Sequence, residues 1–369
     1  MRRRAFLSRT GVLAAAPFLR PAGLPAPVTP KRGPEALDEA LERFAGTGPE
    51  YYGGLANHGP MAAEALVRLG RAEAVSPWVD GYRGKLQPGP AGRRPIAPSE
   101  WREALGDIGR VADWAALFDR ALREAPFTAV LQEWAPRLAP GLSAAACHGL
   151  IRTGQAARSL AERDSPARRG ELAQGLAYWA ARYQALPEKA GASPGVRASQ
   201  ALDRVPRLPP ERRGRGLISD TLAGLAEVPA FADVAALVDV SAAGFLSDLT
   251  ETFAGVFLAQ ARPGTRIAFV HAVTGPSAVR LLLPHLGPEA GPLLLRYAWQ
   301  VAAAVYGGYA AAPNPDADAK PWPREELIDR AVATGDEHAF KLTEACLREH
   351  AISPKPVYLA AAQRNVEAC

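Results

Sequence analysis

The six histidines are the residues of this chain whose type and setting could do chemistry. Four of them lie in or beside apolar segments with helical spacing, on four separate stretches of the chain. One buried imidazole is most simply a core residue with both ring nitrogens satisfied. Four are harder to explain singly, because converging side chains of facing helices are how helical bundles build metal sites. The four are His58, His148, His271 and His338.

Neutral imidazole is a good ligand for iron, copper, zinc and nickel. No two of the four histidines form a close pair such as His-x-x-x-His, so their spacing alone leaves both the core and the metal interpretations open. The other two, His285 and His350, lie at predicted helix ends, where the helix dipole favours a histidine. We therefore leave these two out of the predicted site.

Lys341 follows His338 by three residues, which places both side chains on one face of a helix. A lysine turned into a core must lose its charge or find an anion. As a neutral amine it can react with carbon dioxide to form a carbamate, which is an oxygen ligand. The alternative is that Lys341 extends to solvent or pairs with Glu337 or Glu344, and the residues alone favour that alternative.

The elements that must position these side chains are helices. Ala, Leu and Arg dominate the composition and strand patterns are scarce, which predicts an all-α fold. We expect one large helical domain at residues 34–369, with a metal site between its helices. Residues 84–99, 164–170 and 187–216 are Pro-, Gly- or Arg-rich and are predicted to be loops or connectors. Helical patterns include residues 101–105, 142–160, 217–226, 231–260, 266–285, 290–310, 324–333 and 336–350.

Residues 1–33 have the pattern of a disordered signal and linker. Residues 1–32 contain seven basic side chains and no acid, and Arg3-Arg4-Ala5-Phe6-Leu7 resembles a twin-arginine motif. An apolar stretch and a Pro-rich, small-residue segment follow. This pattern predicts export to the periplasm or beyond by the twin-arginine machinery. The alternative is a disordered basic tail on a cytoplasmic protein.

Composition also argues against several classes of function. Beyond the N-terminal segment 36 basic residues face 38 acidic ones, without a basic stripe interleaved with aromatics, so nucleic-acid binding is not expected. No apolar run reaches the roughly 18 residues that a membrane span needs. The sequence contains no Gly-x-Gly-x-x-Gly after a strand and no phosphate-binding loop, hence no dinucleotide module. Three cysteines at long spacing do not make a disulfide framework.

Together the four histidine segments resemble the questin oxidase-like family, in order and spacing, across roughly residues 36–360. Each motif is short, and the ordered set is far more specific than any one of them. The segments that carry the resemblance are Asn57-His58-Gly59-Pro60-Met61, His148-Gly149-Leu150-Ile151-Arg152-x-Gly154, Phe269-Val270-His271-Ala272-Val273-Thr274 and Asp336-Glu337-His338-Ala339-Phe340-Lys341.

The resemblance implies an α-helical oxidoreductase that cleaves rings of polyketide aromatics such as anthraquinones, by a Baeyer–Villiger-like or dioxygenase reaction with O2. It also implies a non-haem iron held by four histidines and a carboxylated lysine. Some relatives are described as NADPH-dependent, although no dinucleotide motif is found here. Position by position, the implied iron ligands are His58, His148, His271, His338 and Lys341, with His271 and Lys341 as catalytic residues.

Further residues near the motifs could serve the substrate. Phe269, Phe340 and Trp299 are candidates for the wall of a pocket for a flat aromatic molecule. Arg152 and Arg280 could anchor a phenolate or carboxylate, although salt bridges would explain them equally well.

Two other classes of function remain open from the sequence. One is a helical zinc hydrolase, with Asp336 or Glu337 as the base beside a metal-bound hydroxide. The other is a non-catalytic, exported helical binding protein. That last hypothesis predicts that the histidines do not converge and that Lys341 is exposed.

Overall fold

A computed structural model describes residues 33–189, 195–313 and 321–369, so the predicted signal at residues 1–32 lies outside it. Within those ranges the fold is all-α, as predicted, apart from one small antiparallel hairpin, β1 (Glu50–Tyr51) and β2 (Leu55–Ala56). The α-helices are α1 (Gly33–Phe44), α2 (Gly59–Arg68), α3 (Val75–Arg83), α4 (Val111–Glu124), α5 (Phe127–Leu138), α6 (His148–Glu162), α7 (Pro166–Ala181), α8 (Ala198–Ala201), α9 (Ile218–Ala223), α10 (Phe245–Gln260), α11 (Arg266–Leu282), α12 (Ala290–Tyr309), α13 (Arg324–Ala333), α14 (Glu337–Ile352) and α15 (Pro356–Glu367).

Short 3-10 helices connect several of these elements. They cover Ala72–Ala74, Ile108–Arg110, Ala139–Gly141, Leu202–Arg204, Pro210–Arg212, Gly224–Glu227, Pro229–Ala236 and Leu283–His285.

Four helices, α2, α6, α11 and α14, form the centre of the fold. Helix α11 packs against α6, α10, α12 and α14, and α2 packs against both α6 and α14. Close approach of α6 and α11 depends on Gly154, because a Cβ there would lie 2.9 Å from the carbonyl oxygen of Ala278. The segments of all four predicted histidines therefore meet in one region of the core.

A layer of buried ion pairs also connects these four helices. The guanidinium of Arg158 on α6 binds Glu64 on α2 at 2.6 Å and Glu344 on α14 at 2.7 Å. Arg280 on α11 binds Glu349 on α14 at 2.6 Å. We call this set the ion-pair layer, and it consists of Glu64, Arg158, Arg280, Glu344, Arg348 and Glu349.

One segment, Arg266–His285, is long and apolar enough to cross a membrane by length and composition. However, 72 % of its most apolar window is buried inside the protein, which is typical of a core helix. It contains α11 and one of the four histidines.

Several local predictions are wrong, each for a physical reason. Residues 101–105 form turns, between Pro98 and a left-handed Gly106 with φ 76°. Residues 164–170 are not a connector, because Ser165 caps α7 and Pro166 occupies its first turn. Helix α10 begins only after the left-handed Gly244, so residues 231–244 are 3-10 helix and turns instead of its first half.

Candidate functional site

The four predicted histidines converge, although they come from four different helices. His58 precedes the first residue of α2, His148 opens α6, His338 lies in the first turn of α14, and His271 lies inside α11. The His58 ring stacks on that of His148 with 4.7 Å between centroids, and lies edge-on to His338 at 4.6 Å. The centroids of His148 and His271 are 4.5 Å apart. We call these four rings the histidine cluster.

Each ring has an acceptor beside its Nδ1 atom. The carbonyl oxygens of Ala145 and Ile267 accept from His148 and His271, the latter at 2.7 Å. These acceptors hold the ring proton on Nδ1, so Nε2 of a neutral ring keeps a bare lone pair.

Carboxylates perform the same task for the other two rings. Oε1 of Glu337 lies 3.0 Å from Nδ1 of His58, and Oδ1 of Asp336 lies 3.2 Å from Nδ1 of His338. A carboxylate or carbonyl behind each ring is the usual surrounding of histidines that bind metals through the other nitrogen.

The Nε2 atoms face one another. Nε2 of His148 lies 2.7 Å from Nε2 of His58 and 3.1 Å from Nε2 of His271. Two lone pairs at such distances repel, unless a proton or a cation lies between them. The donor set therefore fits a metal ion.

Lys341 is the fifth predicted residue, and its side chain is buried with 2 % exposure. Its Nζ atom and Nε2 of His338 are two of the six buried polar side-chain atoms without a hydrogen-bond partner in the described residues. Buried polar groups are nearly always paired, so two such atoms in one site point to a ligand. The alternative in which Lys341 extends to solvent or pairs with Glu337 or Glu344 is wrong.

Burial disfavours the charged forms of these groups. It lowers the pKa of His58, His148 and His271 well below the ordinary value, helped by the charge of Lys341 and by the neighbouring imidazoles. The pKa of His338 is lowered by burial and by Lys341. Burial also lowers the pKa of Lys341 to about 8, against the opposing pull of Glu337 and Asp336. Neutral imidazoles and a partly neutral amine are the forms that bind a metal or carbon dioxide.

A left-handed turn precedes His148. Ala145, Ala146 and Cys147 have φ angles of 45°, 55° and 68°, in the region that residues other than glycine rarely adopt. This conformation brings the Ala145 carbonyl to Nδ1 of His148. Helix α6 therefore begins at His148, and the predicted helical start at residue 142 is wrong. Such strain is concentrated at functional sites.

A cavity of about 420 Å³ leads from solvent to the cluster. His58, His148, His271 and His338 form part of its wall. The remaining wall is mostly apolar or small, and its members include Leu55, Ala145, Ala146, Leu217, Ile218, Ile267, Ala268 and Tyr309. Its volume is within the usual range for a small-molecule site.

The predicted pocket wall is wrong. Phe269 and Trp299 are fully buried core residues, Phe340 packs against Trp78, and none of the three lines the cavity. These three aromatic side chains fill the core behind the site, whereas the cavity wall is mostly aliphatic and small, with Tyr51 and Tyr309 as aromatic members.

The two predicted anchoring arginines are also wrong as substrate contacts. Arg152 forms a buried bidentate ion pair with Glu171, and Arg280 belongs to the ion-pair layer. Neither lines the cavity.

Sequence reasoning missed the support around the rings. Glu337 lines the cavity and holds His58, whereas the sequence suggests it only as a base or as a partner of Lys341. The hydroxyl of Tyr82, which accepts the backbone N–H of His58 at 2.8 Å, lies 24 residues along the chain and left no signal. Asp336 could have been found, since an Asp two residues before His338 is a typical helix cap.

Fold and site together define an all-α protein with four converging imidazoles and a buried lysine. The chain belongs to the questin oxidase-like family, whose profile matches residues 71–346, about three quarters of its length. The matched range contains His148, His271, His338 and Lys341, and it begins after His58. Membership implies an oxidoreductase of the oxidase or oxygenase kind. No curated protein matches the chain.

The hypothesis of a non-catalytic binding protein predicted separated histidines and an exposed Lys341. Both expectations are wrong, since the rings are in contact and the lysine is buried.

Proposed function

We propose that the protein is an oxygen-dependent oxidoreductase that cleaves a ring of a polycyclic aromatic substrate of the anthraquinone type, at a non-haem iron. The observation that supports this best is the group of Nε2 atoms of His58, His148 and His271 that face one another at the end of a cavity, together with the partnerless Nε2 of His338 and Nζ of Lys341. Family membership supports the oxidase or oxygenase class.

Five side chains would hold the iron: His58, His148, His271, His338 and a carboxylated Lys341. Bound there, iron would supply the binding and activation of dioxygen. Four neutral imidazoles bring no negative charge, so a carbamate on Lys341 would compensate part of the charge of the metal. Asp336 and Glu337, behind two of the rings, add further negative charge.

The other tasks belong to the protein. The Nδ1 acceptors hold the ring protons away from the ligand atoms and fix the ring orientations. The aliphatic cavity wall excludes water and orients a flat substrate against the cluster. Glu337, which lines the cavity, also holds the Nδ1 proton of His58.

The electron balance separates the two possible reactions. A Baeyer–Villiger-like insertion places one oxygen atom in the product and reduces the other to water, which takes two electrons and one proton as hydride from a reductant such as NADPH and a second proton from solvent. A dioxygenase places both atoms in the product and needs no reductant. Oxygen uptake that depends on added NADPH would therefore indicate the first reaction.

The test is elemental analysis of protein from iron-supplemented cells, combined with oxygen uptake on a hydroxyanthraquinone. We expect near-stoichiometric iron and substrate-dependent uptake. Zinc without oxygen uptake would overturn the proposal and favour the hydrolase, for which Glu337, lining the cavity beside the cluster, is the available base. No metal under any loading condition would overturn both.

We also propose that the chain is exported through the twin-arginine pathway. This proposal is supported by the Arg3-Arg4 pair and by the apolar segment that follows it. This pathway carries folded proteins, so the metal would be loaded before export. Replacing Arg3 and Arg4 with Lys should retain the protein in the cytoplasm, as measured by cell fractionation, and unchanged export would contradict the proposal.

A further inference from the structure

Large apolar side chains are exposed mainly at the mouth of the cavity. Four such residues are exposed in the described part of the chain: Tyr52 at 71 %, Leu55 at 45 %, Leu217 at 36 % and Ile352 at 51 %. Leu55 and Leu217 also line the cavity, so they lie where it opens to solvent. Tyr52 lies in the same hairpin as Leu55, with its ring 5.3 Å from that of cavity-lining Tyr51. Only Ile352 is elsewhere, at the end of α14.

Two loops meet at this mouth. One is the turn between β1 and β2, and the other is the segment 214–219. A Cβ on Gly54 would lie 3.2 Å from Cδ1 of Leu217, so the loops are in contact. Gly54 and Gly216 have φ angles of 111° and 70°, which side-chain-bearing residues rarely adopt. Both sides of the entrance therefore depend on backbone shapes that favour glycine.

No lysine or arginine is among the described residues that line the cavity. Of the described residues that line it, Glu337 is the only one that is acidic or basic, apart from the neutral histidines. Two arginines border the loops without lining the cavity: Arg182 binds Glu50 at 2.6 Å, and the exposed Arg215 of the segment 214–219 donates to the carbonyl of Glu211. Sulfonate, carboxylate and phosphate groups are normally recognised by paired cations, above all arginine. An anionic ligand would therefore enter this wall without a partner.

We propose that the two loops form an apolar entrance that selects uncharged, flat ring systems, with Leu55 and Leu217 as the residues that determine this specificity. The inference that the substrate is a flat ring system rests on the proposed function. The inference that charged ligands are disfavoured rests on the residues of the cavity wall alone. A dinucleotide is therefore expected to bind this cavity weakly, because its phosphates would find no lysine or arginine among the described residues of the wall.

The test compares two probes, neutral hydroxymethylanthraquinone and anionic anthraquinone sulfonate, on the full-length protein as isolated. Binding is followed by tryptophan fluorescence without oxygen, so that a failure of ring cleavage leaves this measurement intact. We expect the sulfonate to bind at least about tenfold more weakly than the neutral probe. Equal or tighter binding of the sulfonate would overturn the proposal.

Variants then assign the specificity to the entrance. The double variant Leu55→Ser/Leu217→Ser should weaken binding of the neutral probe about tenfold, while Leu217→Arg should improve binding of the sulfonate by a similar factor. Ile352→Ser is the matched control, since it removes an equally exposed apolar residue elsewhere. All positions are exposed, and thermal melts check that the fold is retained. An unchanged double variant, or an equal loss in the control, would overturn the role of the two leucines.

Discussion

The histidine cluster and the ion-pair layer lie on the same four helices, yet they differ in how their polar atoms are satisfied. In the layer, Glu64, Glu344 and Glu349 each accept from at least one arginine, at 2.6–3.2 Å. No atom of the layer is among the partnerless buried atoms of the described residues. In the cluster, by contrast, Nε2 of His338 and Nζ of Lys341 have no partner, and three other Nε2 atoms face one another.

This difference separates a structural role from a functional one. A fully paired buried charge adds little net stability, whereas losing one partner is costly. A buried polar atom without a partner lowers the stability of the ligand-free protein, and proteins retain such atoms where a ligand binds them. We therefore expect substitutions in the two regions to act on different measurements, stability in the layer and metal binding in the cluster.

The largest effect is expected from His271→Ala, which removes a ligand from the centre of the cluster. It should abolish both metal binding and turnover, with the protein still folded. Elemental analysis and oxygen uptake measure this, and His285→Ala, a histidine outside the cluster, is the control. Full metal occupancy in His271→Ala would show that the ligand assignment is wrong.

In the layer, Arg158→Met should destabilise the protein by roughly 3 kcal/mol, the lower end of the cost of breaking a buried ion pair, because Glu64 keeps Arg68 and Glu344 keeps Arg348 as partners. Urea unfolding measures the loss. Metal content per folded molecule should be unchanged. If Arg158→Met kept wild-type stability but lost its metal, the ion-pair layer would have a role in metal binding and the proposed difference between the two regions would be wrong.

Lys341→Met is expected to raise the free energy of unfolding, in contrast to Arg158→Met, when the protein is free of metal and carbon dioxide. Lowering the pKa from 10.5 to about 8 corresponds to a penalty on the order of 3 kcal/mol for burying the ammonium group. The variant should therefore be more stable than the parent at pH 7, although it cannot bind metal through this residue.

The pH dependence of that gain follows from the same shift. Below pH 8 both the folded and the unfolded chain hold the lysine proton, and the gain of the variant is full. Between about 8 and 10.5 only the unfolded chain holds it, so the parent becomes more stable as pH rises and the gain disappears. Urea midpoints at three pH values measure this. A gain that persists at pH 11 would have another cause.

The smallest effect is expected for Glu337→Gln, which keeps the shape of the side chain but removes the charge behind His58. Metal affinity should fall by about 10- to 100-fold while the stoichiometry at saturation stays the same. Competition with a chelator measures the affinity. The same change at Glu171, whose carboxylate pairs with Arg152 away from the cavity, should leave the affinity unaltered.

The sequence predicts well what depends on local pattern and composition. The all-α class and most of α11, α12, α13 and α14 follow from helical periodicity. The four histidines could be singled out because imidazoles are rare in apolar helical segments. The ordered motifs supported the family, which its profile match then confirmed.

What the sequence could not give depends on distant partners. Nothing local tells Arg158 to pair with Glu344, 186 residues away, or Glu337 to hold His58 across 279 residues. Phe269 faces away from the cavity because the fold turns the small and aliphatic side of α11 towards it. Ala145 and Ala146 are strong helix formers, so their left-handed conformation contradicts their own propensity.

That turn has a consequence for laboratory evolution of this protein. Each left-handed residue other than glycine costs about 1–2 kcal/mol, and glycine at position 145 or 146 would remove part of that cost. A library screened for heat resistance alone would therefore enrich glycine there and an apolar residue at Lys341. The selected variants would be more heat-resistant, but their first substitutions would alter the turn that supports His148 and would remove the buried amine of Lys341.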